Sequence, residues 1–181
     1  MENITASEKN KIAMTYGLLL GIIYLVITSA VNILIGNMIL FYTVKFAGYL
    51  LYFVILGVLA ARIKKANGGF IEFRELFGAI FIMLLIAGLL SYIYSYLYIS
   101  VIDTHYMEKI RTSTIHFMEK MNTPPDKMDD AIRKFDIKVA ESKTFNLGTN
   151  LLNFFEALIV DCLFGLIVCA IVKKPRPVFN N

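Results

Sequence analysis

Charge is scarce in this chain, and its absence is concentrated in long stretches. Only 18% of the 181 residues are Asp, Glu, Lys or Arg and 57% are hydrophobic, against about 25% and 45–50% in an ordinary soluble domain. No charged residue stands between Lys11 and Lys45, between Lys45 and Arg62, or between Glu75 and Asp103. A helix crosses a hydrocarbon core with about 20 apolar residues, and each gap holds such a helix, the second most tightly. A soluble domain is excluded, and the composition is that of an integral membrane protein in contact with the lipid bilayer.

Other absences narrow the chemistry. There are two cysteines, Cys162 and Cys169. Seven residues apart on one helix, they lie about 10 Å apart along its axis and cannot bridge each other. They read as small buried hydrophobes with no metal-ligand spacing. The two histidines, His105 and His116, are eleven residues apart and form neither HExxH nor HxxxH, so no metal site is expected. A P-loop, a G-x-S-x-G turn and a supported Cys/His pairing are all missing. The expectation is a protein that is not an enzyme and carries no cofactor. A cleaved signal peptide is disfavoured as well, because the apolar run from Ile12 to Ile35 is longer than the 7–15 residues of a normal h-region.

What is present reads as an all-α integral membrane four-helix bundle, a single membrane domain over residues 1–181. Its helices are expected near 12–35, 41–63, 77–102 and 147–172. Backbone polar groups cannot go unpaired in lipid, so helices are the economical form for runs of this length. Gly36-Asn37 suits a tight turn after the first helix, and Gly68-Gly69 stops the second where basic residues meet its last turn. "FIEFREL" (70–76) is expected at the interface before the third helix. Tyr92, Tyr94, Tyr96 and Tyr98 end that helix as an aromatic belt, with a ligand-stacking platform as the sharper alternative.

Residues 103–146 are polar and formally neutral, with eight acids and eight bases. Met107, Ile110, Thr114, Phe117, Met118 and Met121 recur at helical spacing, as do Met128, Ala131, Ile132, Phe135 and Val139. The spacing predicts an extramembrane helical hairpin, 105–121 and 124–143, with stripes that pack together or lie on the membrane. In its turn, "NTPPD", Thr123 suits an N-cap, Pro124 the first helical position and Asp126 a capping-box position.

Two acids interrupt the last apolar run, Glu156 and Asp161. On a wheel of about 100° per residue, Asn146, Asn150, Asn153 and Asp161 share an arc of about 80°, with Glu156 about 60° beyond. A central aspartate opposes insertion by about 2.5–3.5 kcal/mol, so it should face the interior. The first helix offers a matching stripe in Gly17, Gly21, Tyr24, Thr28, Asn32 and Gly36, whose glycines permit close approach and whose polar residues hydrogen-bond across an interface. An intramembrane polar seam of Thr28, Asn32, Asn150, Asn153, Glu156 and Asp161 follows, with Asp161 expected near Thr28 or Asn32 and Glu156 nearer water. The seam holds the bundle together in the plain reading. In the sharper one its acids bind a proton, cation or cationic substrate.

Basic residues near the spans set orientation. Nine of them, Lys9, Lys11, Arg62, Lys64, Lys65, Arg74, Lys173, Lys174 and Arg176, fall in short segments on the side of the termini. The other nine, Lys45 and eight in the hairpin, are spread more thinly. The expectation is an inner-membrane, multi-pass protein with both termini cytoplasmic. Its basic character, with a pI of about 9.0, fits anionic headgroups and points to no nucleic acid.

Three blocks, "RIKKANGGFIEFRELF", "SYIYSYLYISVIDTHYMEKI" and "LIVCAIVKKPRP", resemble in order the landmarks of a bacterial membrane family catalogued as domain of unknown function 4199. The resemblance covers essentially the whole chain. Where that pattern usually has Asp-Pro, this chain has Asp103-Thr104. The resemblance implies a four-helix inner-membrane protein with a polar segment between the third and fourth spans, and it assigns no residue a role. The leading functional expectation is a non-enzymatic accessory or interaction component, working as a homo-oligomer or with a membrane partner. The alternative is a transporter-like protein using Glu156 and Asp161.

Overall fold

A computed structural model describes residues 4–143 and 147–176. Four helices are long and apolar enough to cross a membrane: α1 (Ala6–Asn32), α2 (Met38–Ala66), α3 (Phe73–Leu97, extended to Ile102 by one π-helical turn) and α6 (Leu147–Val172). Between the last two lie α4 (Tyr106–Lys120) and α5 (Pro125–Lys143). Among the described residues there is no strand, only an isolated bridge between Ile71 and Lys174. The chain is a multi-pass all-α membrane protein.

The helices run past their apolar cores because their caps lie in the polar flanks. The Thr5 hydroxyl accepts from the Glu8 N–H at 3.2 Å and the Glu8 carboxylate accepts from the Thr5 N–H at 2.8 Å, a capping box that starts α1 at Ala6, six residues before the expected start. Asn37 caps α2 through its side chain. At the other end of α2, Gly68 takes a φ of 74°, and the N–H groups of Gly69 and Gly68 close on the carbonyls of Lys64 and Lys65. That double closure is a Schellman stop. "FREL" forms the first turn of α3 rather than an interfacial segment before it, since charged residues in a first turn do not interrupt a helix.

The hairpin forms as the spacing predicts, with one shift. Asn122, at φ 50°, ends α4 in the left-handed region, while Thr123 and Asn122 bond back to Met118 and Glu119. Pro125, not Pro124, is the first helical residue, so the expected cap is displaced by one. Eleven hairpin residues carry the two stripes, and all but Met121 are at least partly buried. Asp103 ends the third span without a following proline.

The four spans form a ring in the order α1, α3, α6, α2. α1 and α6 therefore occupy opposite corners. Gly17 and Gly21 of α1 lie against α3, where an added Cβ would come within 3.0 Å of the Met83 carbonyl and 3.2 Å of the Ala87 Cα. Gly165 of α6 meets Ile80 and Leu84 of α3 just as closely. Leu20, Leu56, Ile63, Leu76, Ile80, Met83 and Leu84 fill the centre. Only 22–33% of each span is enclosed; the remainder, including Val26, Phe46, Val54 and Ile171, presents apolar surface suited to lipid. A second cluster, Val31, Ile35, Met38 and Phe41, lies at the α1–α2 turn, and Tyr106, Ile110 and Phe117 of α4 close over it.

Candidate functional site

Asp161 faces α2. The Tyr49 hydroxyl donates to its Oδ1 at 2.6 Å, and Thr28 and Asn32 are not its partners. The reason is the ring order: the small-residue stripe of α1 is consumed by α3, leaving α6 at the opposite corner. Asn32 instead accepts from the Tyr106 hydroxyl at 3.2 Å, and Thr28 sits beside the Tyr24 hydroxyl.

The remaining seam residues separate. Asn150 is half-buried, whereas Asn153 and Glu156 are exposed on the outward side of α6. Asn146 lies outside the described residues. The arc on the wheel is real as an angle, but only its Asp161 edge turns into the bundle.

Around Asp161 the wall is aromatic. A pocket of about 360 Å³ is lined by Asp161 together with Tyr24, Tyr49, Tyr52, Tyr92 and Phe154. Tyr24 and Tyr52 meet edge to face at 5.2 Å, Tyr49 and Tyr52 stack at 6.3 Å, and Tyr92 meets Phe154 at 5.8 Å. Ser91 and Ser95 of α3 add hydroxyls. A second cavity, of about 530 Å³, lies toward the hairpin and shares Tyr24, Tyr49 and Ser95 with the first. Its outer wall carries Thr28, Asn32, Tyr42, Lys45 and Tyr106. Three hydroxyl-bearing side chains thus stand between an outer vestibule and an inner pocket that ends at a carboxylate.

The third helix distributes its tyrosines among three tasks. Tyr92 lines the inner pocket, Tyr94 shares a 2.6 Å hydrogen bond with Ser29 of α1, and Tyr98 meets Tyr106 edge to face at 5.3 Å. Tyr96 is exposed. A uniform belt is not what the structure contains.

Lys45, Tyr49 and Tyr52 escaped the sequence reading. Their signal was present: i, i+4 and i+7 share a helix face, and Lys45 is the one charge in α2 before Arg62. Chemically, ionised Asp161 has about four acceptor positions, of which Tyr49 takes one, and the surrounding rings present electron-rich faces. Such a pocket suits a positively charged group. The histidines take no part: His105 and His116 sit 3.4 and 3.7 Å from Glu108 and Glu119 on the exposed hairpin.

Two of the resemblance-bearing blocks meet at the opposite end. Ile71 and Lys174 exchange backbone hydrogen bonds of 2.8 and 3.1 Å, and Lys174 and Lys173 lie over the rings of Phe70 and Phe73. Cys169, fully buried, donates its Sγ hydrogen to the Phe73 carbonyl at 3.2 Å. Neither a search of curated proteins nor one of solved structures gives a match. The family described as "Protein of unknown function (DUF4199)" does match, over residues 15–174. The match runs from within α1 to the residues just after α6, and the chain belongs to this family.

Proposed function

We propose that this is a non-enzymatic inner-membrane protein that binds an organic cation in the pocket at Asp161, reached from the hairpin side through the vestibule. The observation that carries the reading is a single carboxylate, hydrogen-bonded by Tyr49, within a wall of five aromatic rings. A cation there gains Coulomb attraction and ring-face attraction together, the latter about 2 kcal/mol or more per desolvated contact. The transporter-like alternative is narrowed to one acid, because Glu156 stands outside the pocket. Tetraethylammonium added to the purified protein in detergent should raise its melting temperature saturably, by ligand linkage. Asp161→Asn should abolish that rise. An equal rise in the variant, or none in the native protein at matched ionic strength, would rule the reading out.

The interaction-component reading has its own support. Asn153 and Glu156 lie exposed among Leu152, Phe155 and Ile159 on the outer side of α6. Polar groups facing away from the bundle at that depth suit a second copy or another membrane helix. Glu156→Leu should then weaken association, measured by crosslinking in membranes, and leave tetraethylammonium binding unchanged. Unaltered crosslinking would remove this role.

Orientation follows the basic residues, and we place both termini in the cytoplasm with the hairpin opposite.

A further inference from the structure

The two cavities that meet at Tyr24, Tyr49 and Ser95 each hold one formal charge, and the charges are opposite. Asp161 is the only charged side chain on the wall of the inner pocket, and Lys45 is the only one in the vestibule. Neither is neutralised within the protein. Among the described residues Lys45 makes no ion pair or hydrogen bond. Its ammonium stands 5.6 Å from the centre of the Phe41 ring, a contact that leaves its N–H donors unspent. Asp161 accepts from Tyr49 through Oδ1, and its Oδ2 has no partner among the described residues.

A lone ammonium on the approach to a cation site works against that site. It lowers the local concentration of any simple cation and so discriminates against it. The arrangement is coherent when the guest brings its own anion. We infer that the guest is an extended zwitterion, an ω-amino acid in chemical class, with its cationic end at Asp161 and its anionic end at Lys45. This rests on the reading of the Asp161 pocket as a cation site and adds the other half of the guest. Geometry sets the length. Lys45 and Tyr49 stand one turn apart on α2, about 6 Å along its axis. The Lys45 ammonium leans back toward Phe41, away from Tyr49 and the carboxylate that Tyr49 holds. An α-amino acid, whose two charged groups share one carbon, is too short to reach both. Between the ends the shared wall of Tyr24, Tyr49 and Ser95 carries ring carbon and hydroxyls and no charge, which suits a methylene chain.

Isothermal titration calorimetry of the purified protein in detergent tests this with 6-aminohexanoate against 6-amino-1-hexanol, which keeps the cation and the length but lacks the carboxylate. The amino acid should bind about tenfold tighter, and glycine should bind more weakly than either. Lys45→Gln should erase the difference, whereas Lys45→Arg should keep it. Tetraethylammonium, with no anion to offer, should bind Lys45→Gln at least as tightly as the native protein. That arm separates the two claims. Tetraethylammonium binding with no preference for the amino acid overturns this inference and leaves the cation site standing, whereas no tetraethylammonium binding removes both. A preference that survives Lys45→Gln, the result expected if Lys45 only reaches a lipid headgroup, would also overturn it. So would glycine bound as tightly as 6-aminohexanoate, or a parallel loss of tetraethylammonium and amino acid in that variant.

Discussion

Tyr49 and Asp161 form a pair whose energetics differ with which half is removed. Asp161→Asn leaves an amide oxygen to accept from the Tyr49 hydroxyl, so melting in detergent should change little. Asp161→Leu strands that hydroxyl and should cost about 1–3 kcal/mol. Adding Tyr49→Phe to Asp161→Leu removes both polar partners, and stability should return most of the way. A double variant no more stable than Asp161→Leu alone would mean that the hydrogen bond does not govern the site. A second residue-scale expectation concerns Tyr106, outside the spans. Burial pushes its hydroxyl up to about 12, and in that neutral form it donates to Asn32. A group raised above its unfolded value of about 10 contributes stability that is complete below pH 10 and lost as pH rises through 12. Hydrogen exchange of α4 should therefore accelerate across that window, and Tyr106→Phe should remove the step.

Between elements, the decisive contacts are those of small residues. At Gly17 an alanine Cβ would meet the Met83 carbonyl at 3.0 Å, so Gly17→Ala should destabilise the protein by about 1–3 kcal/mol through overpacking. Gly78 has open space around its missing Cβ, and Gly78→Ala should be neutral or stabilising by up to about 1 kcal/mol from helix propensity. Thermal unfolding of the two variants side by side decides this. In the hairpin, Phe117 packs against the cluster at the α1–α2 turn, and Phe117→Asp should release α4, whereas Lys120→Asp should not, since only the first buries an unpaired charge. This is also the scale at which the sequence was most and least informative. Charge-free apolar runs found the four spans and periodicity found both hairpin stripes, because composition and amphipathic spacing are local properties. The glycine stripe was legible as an interface, but a helix wheel specifies a face and never the neighbour, so its assignment to α6 instead of α3 could not have been corrected from the chain alone. Asp161 was recognisable as inward-facing for the same reason that its partner was not. Tyr49 is 112 positions away, and nothing local marks the meeting.

For the whole molecule, orientation is the property with the widest reach, because it decides which compartment the vestibule samples. With cysteine placed at position 127, an impermeant maleimide should label intact cells; labelling only after lysis would invert the assignment and turn the vestibule toward the cytoplasm. Cys162 and Cys169 both lie on α6 within the spans, so they should contribute little background.

The bridge between Ile71 and Lys174 bears on how the chain is made. Ile71 leaves the ribosome more than a hundred residues ahead of Lys174, so the turn after α2 spends most of translation without its eventual partner. The α1–α3 contact needs nothing beyond Leu97 and is available early. α6 arrives last, and only when its trailing lysines emerge does the backbone of that turn acquire its two hydrogen bonds. A nascent chain halted before residue 174 would leave the Ile71 N–H and carbonyl without the two backbone partners that Lys174 supplies.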